Sequence, residues 1–137
     1  MAGSRHKARV RAVEVLYEAE VRDISVAEVI ERRRRQPEPP VHEFTQRLAE
    51  AVDTQRRRID ELISTHAVGW DLERMPVVDR NALRIGIYEL LWDDDTPDGV
   101  AVAEAVAVVR ELSGDDSPTF VNGLLSRILE KKPSLTI

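Results

Sequence analysis

The sequence predicts an all-α protein of seven helices arranged as two packed helical subbundles. Three observations predict it. Apolar residues recur three and four positions apart through segment after segment, the spacing that gives a helix one buried stripe. Prolines, glycines and capping residues fall mostly between those segments. No convincing strand with period-two alternation stands anywhere in the chain. At 137 residues, 42% hydrophobic and 33% charged, the chain suits one globular domain, residues 1–137. Aromatics are only 4%, so Val, Leu, Ile and Ala must fill the core.

The first helix spans about residues 4–22, with Val10, Val13, Leu16, Tyr17 and Val21 at helical spacing. Its apolar pattern is two-sided, as a helix shared by two subbundles requires. Ser25 and Glu28 form a capping box for the second helix, whose stripe is Val26, Val29 and Ile30. That helix runs into Arg32–Arg35, read as a solvated end that suits the dipole. Pro37, Pro39 and Pro40 then make a short stiff linker. Val41, Phe44, Leu48, Ala51 and Val52 mark the third helix. Thr54 is the expected N-cap of the fourth, with Ile59, Leu62 and Ile63 inside. Trp70 is expected to pack under the loop that follows.

Pro76 opens the fifth helix. Val78, Ala82, Leu83, Ile85, Ile87, Leu90 and Leu91 cover more than half its surface, which predicts a central position. It should stop before Asp93-Asp94-Asp95, because acids oppose the dipole at a helix C-terminus. The sixth helix runs from about residue 101 to 112, with Gly114 as its C′ residue. Ser117-Pro118 caps the seventh, which buries Val121, Leu124, Leu125 and Ile128 and ends before Pro133. Gly86 and Gly123 lie inside helices, where close helix contact is the expected reason for them.

The chemistry-bearing residues exclude more than they admit. There is no cysteine, hence no disulfide framework or thiol site. His6, His42 and His66 stand in no ligand-spaced pair. Asp93, Asp94, Asp95 and Asp98 lack the EF-hand pattern. No Gly-rich phosphate loop or nucleophile elbow is evident. The reading is a non-enzyme without cofactor or metal. No secretory signal or membrane-length apolar run is seen, so the expected location is the cytoplasm.

Charge is unevenly spread. The net charge is −5, yet Arg5, Lys7, Arg9 and Arg11, with His6, share the first eleven residues with no acid. Cations there oppose the macrodipole by ~0.3–1 kcal/mol each, so they serve a ligand better than they serve the fold. Arg and Lys neutralise phosphates, and Tyr17 further along could stack an unpaired base. Fraying of that helix end is the bland alternative. Phe120, two residues after Pro118, has two readings: a core residue, or an exposed ring beside free backbone N–H groups.

Three stretches, in order and spacing, resemble the NusB family. They are Arg5-His6-Lys7-Ala8-Arg9 with Leu16-Tyr17; Val78-Asp79-Arg80-Asn81-Ala82-Leu83-Arg84-Ile85 with Tyr88-Glu89-Leu90; and Val102-Ala103-Glu104-Ala105-Val106 leading to Asp116-Ser117-Pro118 and Phe120-Val121-Asn122-Gly123. The Arg32–Pro40 region matches poorly. The resemblance implies a NusB-like fold of two three-helix-type subbundles. It implies binding to boxA, a single-stranded element in the leader RNA of ribosomal operons, together with the small-subunit ribosomal protein NusE. The pair would join other Nus factors on RNA polymerase and suppress termination. It implies RNA contacts at Arg5, His6, Lys7, Arg9, Tyr17, Arg84, Asp116 and Phe120, where Phe120 stacks a base and Arg84 holds a phosphate. An ion pair inside the bundle is the competing role for Arg84. Asp79, Arg80 and Tyr88 are the candidate partner surface. Family members occur as monomers and as dimers, and a homodimer would cover the RNA surface. Two rivals remain. One is a helical protein-interaction module without specific RNA binding. The other is the related domain of RNA cytosine methyltransferases, whose catalytic part this chain lacks.

Overall fold

Helix α1, Ala2–Arg22, has its N-terminal half against the end of one long helix and its C-terminal half against that helix's start. The computed structural model describes residues 2–36 and 40–136. The remaining helices are α2 (Val26–Arg34), α3 (Glu43–Thr54), α4 (Arg56–His66), α5 (Val77–Leu91), α6 (Asp98–Leu112) and α7 (Ser117–Lys131). Short 3-10 turns occupy Leu72–Arg74 and Lys132–Ser134. Among the described residues there is no strand. Pro37 and Pro39 of the expected linker lie outside the described residues.

The two subbundles are α1 to α3 and α4 to α7, and α1 packs on both α3 and α5. The core is one continuous cluster through both halves, from Ala12, Val13 and Val15 to Leu124, Leu125 and Ile128. Continuity follows from the two-sided apolar pattern of α1. Helix α5 is central as its sequence predicts: Asn81 to Ile87 are all buried, with Asp79, Glu89 and Leu90.

The ends of the helices show which local signals were sufficient. The Ser25 hydroxyl accepts the Glu28 N–H at 3.0 Å, as the capping box requires. Helix α1 ends with Asp23 in the left-handed region at φ 56°. The Ile24 N–H there reaches back to the Ala19 carbonyl, and the Asp23 N–H to Glu20, in a Schellman pattern. Thr54 does not cap α4. It closes α3, and its hydroxyl donates to the Glu50 carbonyl, so Gln55 takes the junction without a side-chain cap. Asp116, not Ser117, is the N-cap residue of α7. Gly114 has no positive φ, and Ser113 ends α6 in extended backbone.

The two helical glycines differ. A Cβ on Gly86 would lie 2.8 Å from Leu125 Cδ1 and 3.2 Å from Ala105 Cβ, so α6 and α7 close on α5 at that point. Gly123 has open space around it, contrary to the close contact expected. Replacing Gly86 with valine should therefore cost about 1–3 kcal/mol by overpacking. The same change at Gly123 meets no neighbour, and urea unfolding of both variants checks the contrast.

Candidate nucleic-acid interface

A helix turns about 100° per residue, so the linear run of cations at the start of α1 is dealt out in several directions. Arg5 stays exposed, with its guanidinium 5.1 Å from the Phe44 ring centroid. Arg47 covers the same ring at 5.9 Å. Lys7 is exposed on the side that faces α2. His6 turns toward α6, where Nδ1 lies 2.8 Å from Glu104 and Nε2 3.7 Å from Glu111.

Arg9 goes inward, contrary to the RNA contact expected of it. It is 4% exposed and grips Glu89, itself 1% exposed, through two hydrogen bonds of 2.8 Å. The Thr96 hydroxyl donates to the same carboxylate at 3.0 Å. Burial alone would lower the pKa of Arg9, but the Glu89 hydrogen bonds and charge outweigh it and raise the net value. Such a group holds α1 to α5.

Arg84 is likewise committed to the bundle. Its Nε donates to Asp60 at 2.8 Å, and Nη1 donates to Glu20 at 2.9 Å and to Asn81 at 2.8 Å. Burial opposes its charge, yet Asp60 and Glu20 raise its pKa overall. The competing ion-pair role is the one realised, with Asp60 and Glu20 as the acids.

The three partner candidates lie on α5, and its central place decides their fate. Asp79 is 3% exposed and accepts hydrogen bonds from the Ser113 and Ser117 hydroxyls, each at 2.6 Å. Arg80 pairs with Glu20 and also donates to the Met75 carbonyl at 3.0 Å. Asp79 and Arg80 therefore tie helices together rather than face a partner. Tyr88 is half-buried and stacked on Trp92, with centroids 6.3 Å apart. It borders a surface hollow with Arg5, Phe44, Arg47 and Asp93. Burial, then the charges of Asp93 and Glu89, push its phenol pKa up.

Tyr17 lies in the C-terminal half of α1, and Asp116 and Phe120 lie at the start of α7. Tyr17 is 42% exposed and shares a shallow hollow with Val13, Val21, Val78 and Leu112. Beyond Leu112, the Asp79–Ser113–Ser117 bonds fix the start of α7. Asp116 is exposed there, and Phe120 is half-buried against Trp70 at 5.6 Å. Phe120 thus falls between its two readings. The ring keeps an open side, but few free amides lie beside it. The Ser117 N–H bonds Gly114, Pro118 has none, and the Phe120 N–H bonds Asp116. Trp70 is 54% exposed and sits on Phe120 rather than under a loop. Its place in this aromatic pair was not legible, because no local pattern links residues 50 positions apart.

Arg5 and Tyr17 are twelve residues apart on one straight helix, about 18 Å at 1.5 Å per residue. The exposed surface thus has cations at one end of α1 and the Tyr17 ring toward the other. Among the described residues no three His, Asp or Glu converge as a metal site, and no helix is long and apolar enough to cross a membrane.

Comparison with known proteins agrees with this fold. The NusB family model matches residues 6–130. The transcription antitermination protein NusB of Thermobifida fusca is 73% identical over 135 residues, covering 98% of this chain and 95% of its own. That of Streptomyces avermitilis is 53% identical, covering 96% and 95%. Among solved structures, NusB of T. maritima superposes with TM-score 0.81 at 31% identity, over 96% of this chain and 97% of that one. A structure of the antitermination factors NusB and NusE in complex with dsRNA superposes with TM-score 0.77 at 28% identity, over 95% and 98%.

Proposed function

The chain belongs to the NusB family, and on that premise we propose that it binds boxA RNA with NusE, through the exposed cations of α1 and the rings of Tyr17 and Phe120. It is a transcription antitermination factor and not an enzyme. RNA and NusE as ligands are supported by the similar structure of NusB and NusE in complex with dsRNA. The one observation that supports the site is that Tyr17 is exposed beside a hollow lined by Leu112, and that the segment following Leu112 leads to the exposed Asp116 and the half-buried Phe120. That structure contains dsRNA. A single-stranded boxA is our reading, because only unstacked bases offer a face to Phe120 and Tyr17.

Within this reading Arg5 and Lys7 supply phosphate contacts. His6 contributes less, since Glu104 already holds its ring. Arg9 and Arg84 act indirectly, by keeping α1 seated on α5. Asp116 offers a carboxylate acceptor to a base edge beside Phe120. Tyr88 is the one partner-surface candidate retained. The place of action we propose is the cytoplasm, with other Nus factors on RNA polymerase reading through terminators.

The test is a titration of boxA RNA, with and without NusE, followed by fluorescence anisotropy. Binding is expected to be weak alone, tighter with NusE, and tighter for boxA than for a scrambled RNA. Equal affinity for the scrambled sequence would sink specific recognition. Phe120→Ala should cost about 1–3 kcal/mol, or roughly 5- to 150-fold in Kd, if the ring stacks a base. Circular dichroism of the same variant checks that it remains folded. If it unfolds instead, Phe120 is a core residue.

A further inference from the structure

Lys7, Arg11 and Arg22 on α1 face Arg32 and Arg33 on α2 across a groove of about 580 Å3, with Glu18 as the acid in its lining. The sequence alone reads Arg32–Arg35 as a solvated helix end. Folding brings the first two of those arginines opposite a row of cations on another helix. The α2 dipole accounts for arginines at its own C-terminus. It does not account for three more cations facing them.

Among the described residues, the groove is positive beyond what its own acids balance. Glu18 holds both Arg33, at 3.0 Å, and Arg22, at 3.4 Å. Arg11 meets Glu14 at 3.4 Å, and Arg32 meets Glu28 at 2.7 Å. Lys7 makes no ion pair among the described residues. Most of these side chains are solvent-exposed, and exposed pairs are weak and screened, so an incoming anion can displace the acid. From Lys7 to Arg22 the cationic wall runs about 22 Å at 1.5 Å per residue. That suits a polymer of phosphates better than one small anion. The groove also shares Glu18, Arg22 and Arg33 with the hollow beside Tyr17, so the two surfaces are continuous.

We propose that this groove is a sequence-independent track for the RNA sugar–phosphate backbone, carrying the strand that flanks the segment held at Tyr17 and Phe120. It rests on the RNA-binding reading above and adds α2 to the interface. Glu18 acts as a built-in competitor: its carboxylate occupies Arg22 and Arg33 until phosphates replace it.

The experiment measures RNA affinity against salt for the full chain with NusE, using a boxA RNA with flanking nucleotides and a scrambled RNA of equal length. Arg32→Gln with Arg33→Gln should lower the slope of log K against log salt by about 0.7 per lost contact. The loss should be equal for both RNAs. Glu18→Gln should do the opposite and tighten both. A merely structural role for the Glu18–Arg33 pair would weaken binding from either side, so opposite signs support the track. An unchanged slope in the arginine variant together with no gain in Glu18→Gln overturns it while leaving boxA recognition intact. Loss of NusE binding without RNA overturns it in favour of a protein surface. If the unmodified protein binds no RNA, the RNA reading itself fails and the track with it.

Discussion

Arg9→Ala is expected to destabilise the protein by about 3–5 kcal/mol in urea unfolding, a large part of a typical domain's stability. The guanidinium and the Glu89 carboxylate are both almost fully buried and bonded twice at 2.8 Å. Removing one partner strands the other charge, and among the described residues only the Thr96 hydroxyl remains hydrogen-bonded to it. The loss also removes one of three cations over Phe44, the one at 5.3 Å. Replacing both residues by apolar ones of similar size, Arg9→Met with Glu89→Leu, should recover most of the loss, because two desolvated charges then disappear together. Protein that remains folded should keep its RNA affinity. A stable Arg9→Ala protein that binds RNA poorly would return Arg9 to the interface.

That outcome bears on how far the sequence could be read. The fold was legible because helical periodicity is local. The breadth of the apolar surface on Val78–Leu91 is enough to make α5 central without any structure. Charges were legible only as a run. Arg5, Lys7 and Arg9 look alike in sequence, but the helix turn sends Lys7 to another side, while Arg5 and Arg9 share a face over Phe44 and only Arg9, one turn deeper, reaches Glu89, 80 positions away. The same reasoning applies to Arg84 and Asp79. Their places beside Asp60 and Ser117 depend on how helices cross, which no spacing within one helix encodes. The cationic groove is the converse case. Lys7 and Arg11 at i and i+4 announce one face of α1. Nothing announces that Arg32 and Arg33 will stand opposite it.

The second large effect belongs to Arg84. Arg84→Met is expected to cost about 2–4 kcal/mol, somewhat below the usual cost of breaking a buried pair. The discount arises because Asp60 and Glu20 are 24% and 18% exposed and can recover some water. The cost should also depend on pH in a particular direction. Burial tends to raise the pKa of Glu20, but hydrogen bonds and charge from Arg80 and Arg84 outweigh it and hold the value below the ordinary 4.5. A depressed carboxylate stabilises the fold above its unfolded pKa, and that stability disappears as pH falls through the folded value. In Arg84→Met only Arg80 still holds Glu20, so less remains to be lost in acid. The stability gap between the unmodified protein and the variant should therefore be widest near neutral pH and should shrink in acid as pH falls through the lowered folded pKa of Glu20. Urea unfolding across that range measures it. A gap that stays constant would detach Glu20 from Arg84. A folded Arg84→Met protein that loses RNA affinity with a lowered salt slope would show that this guanidinium leaves its acids to hold a phosphate, whereas a loss at unchanged slope is the indirect effect of a loosened α1.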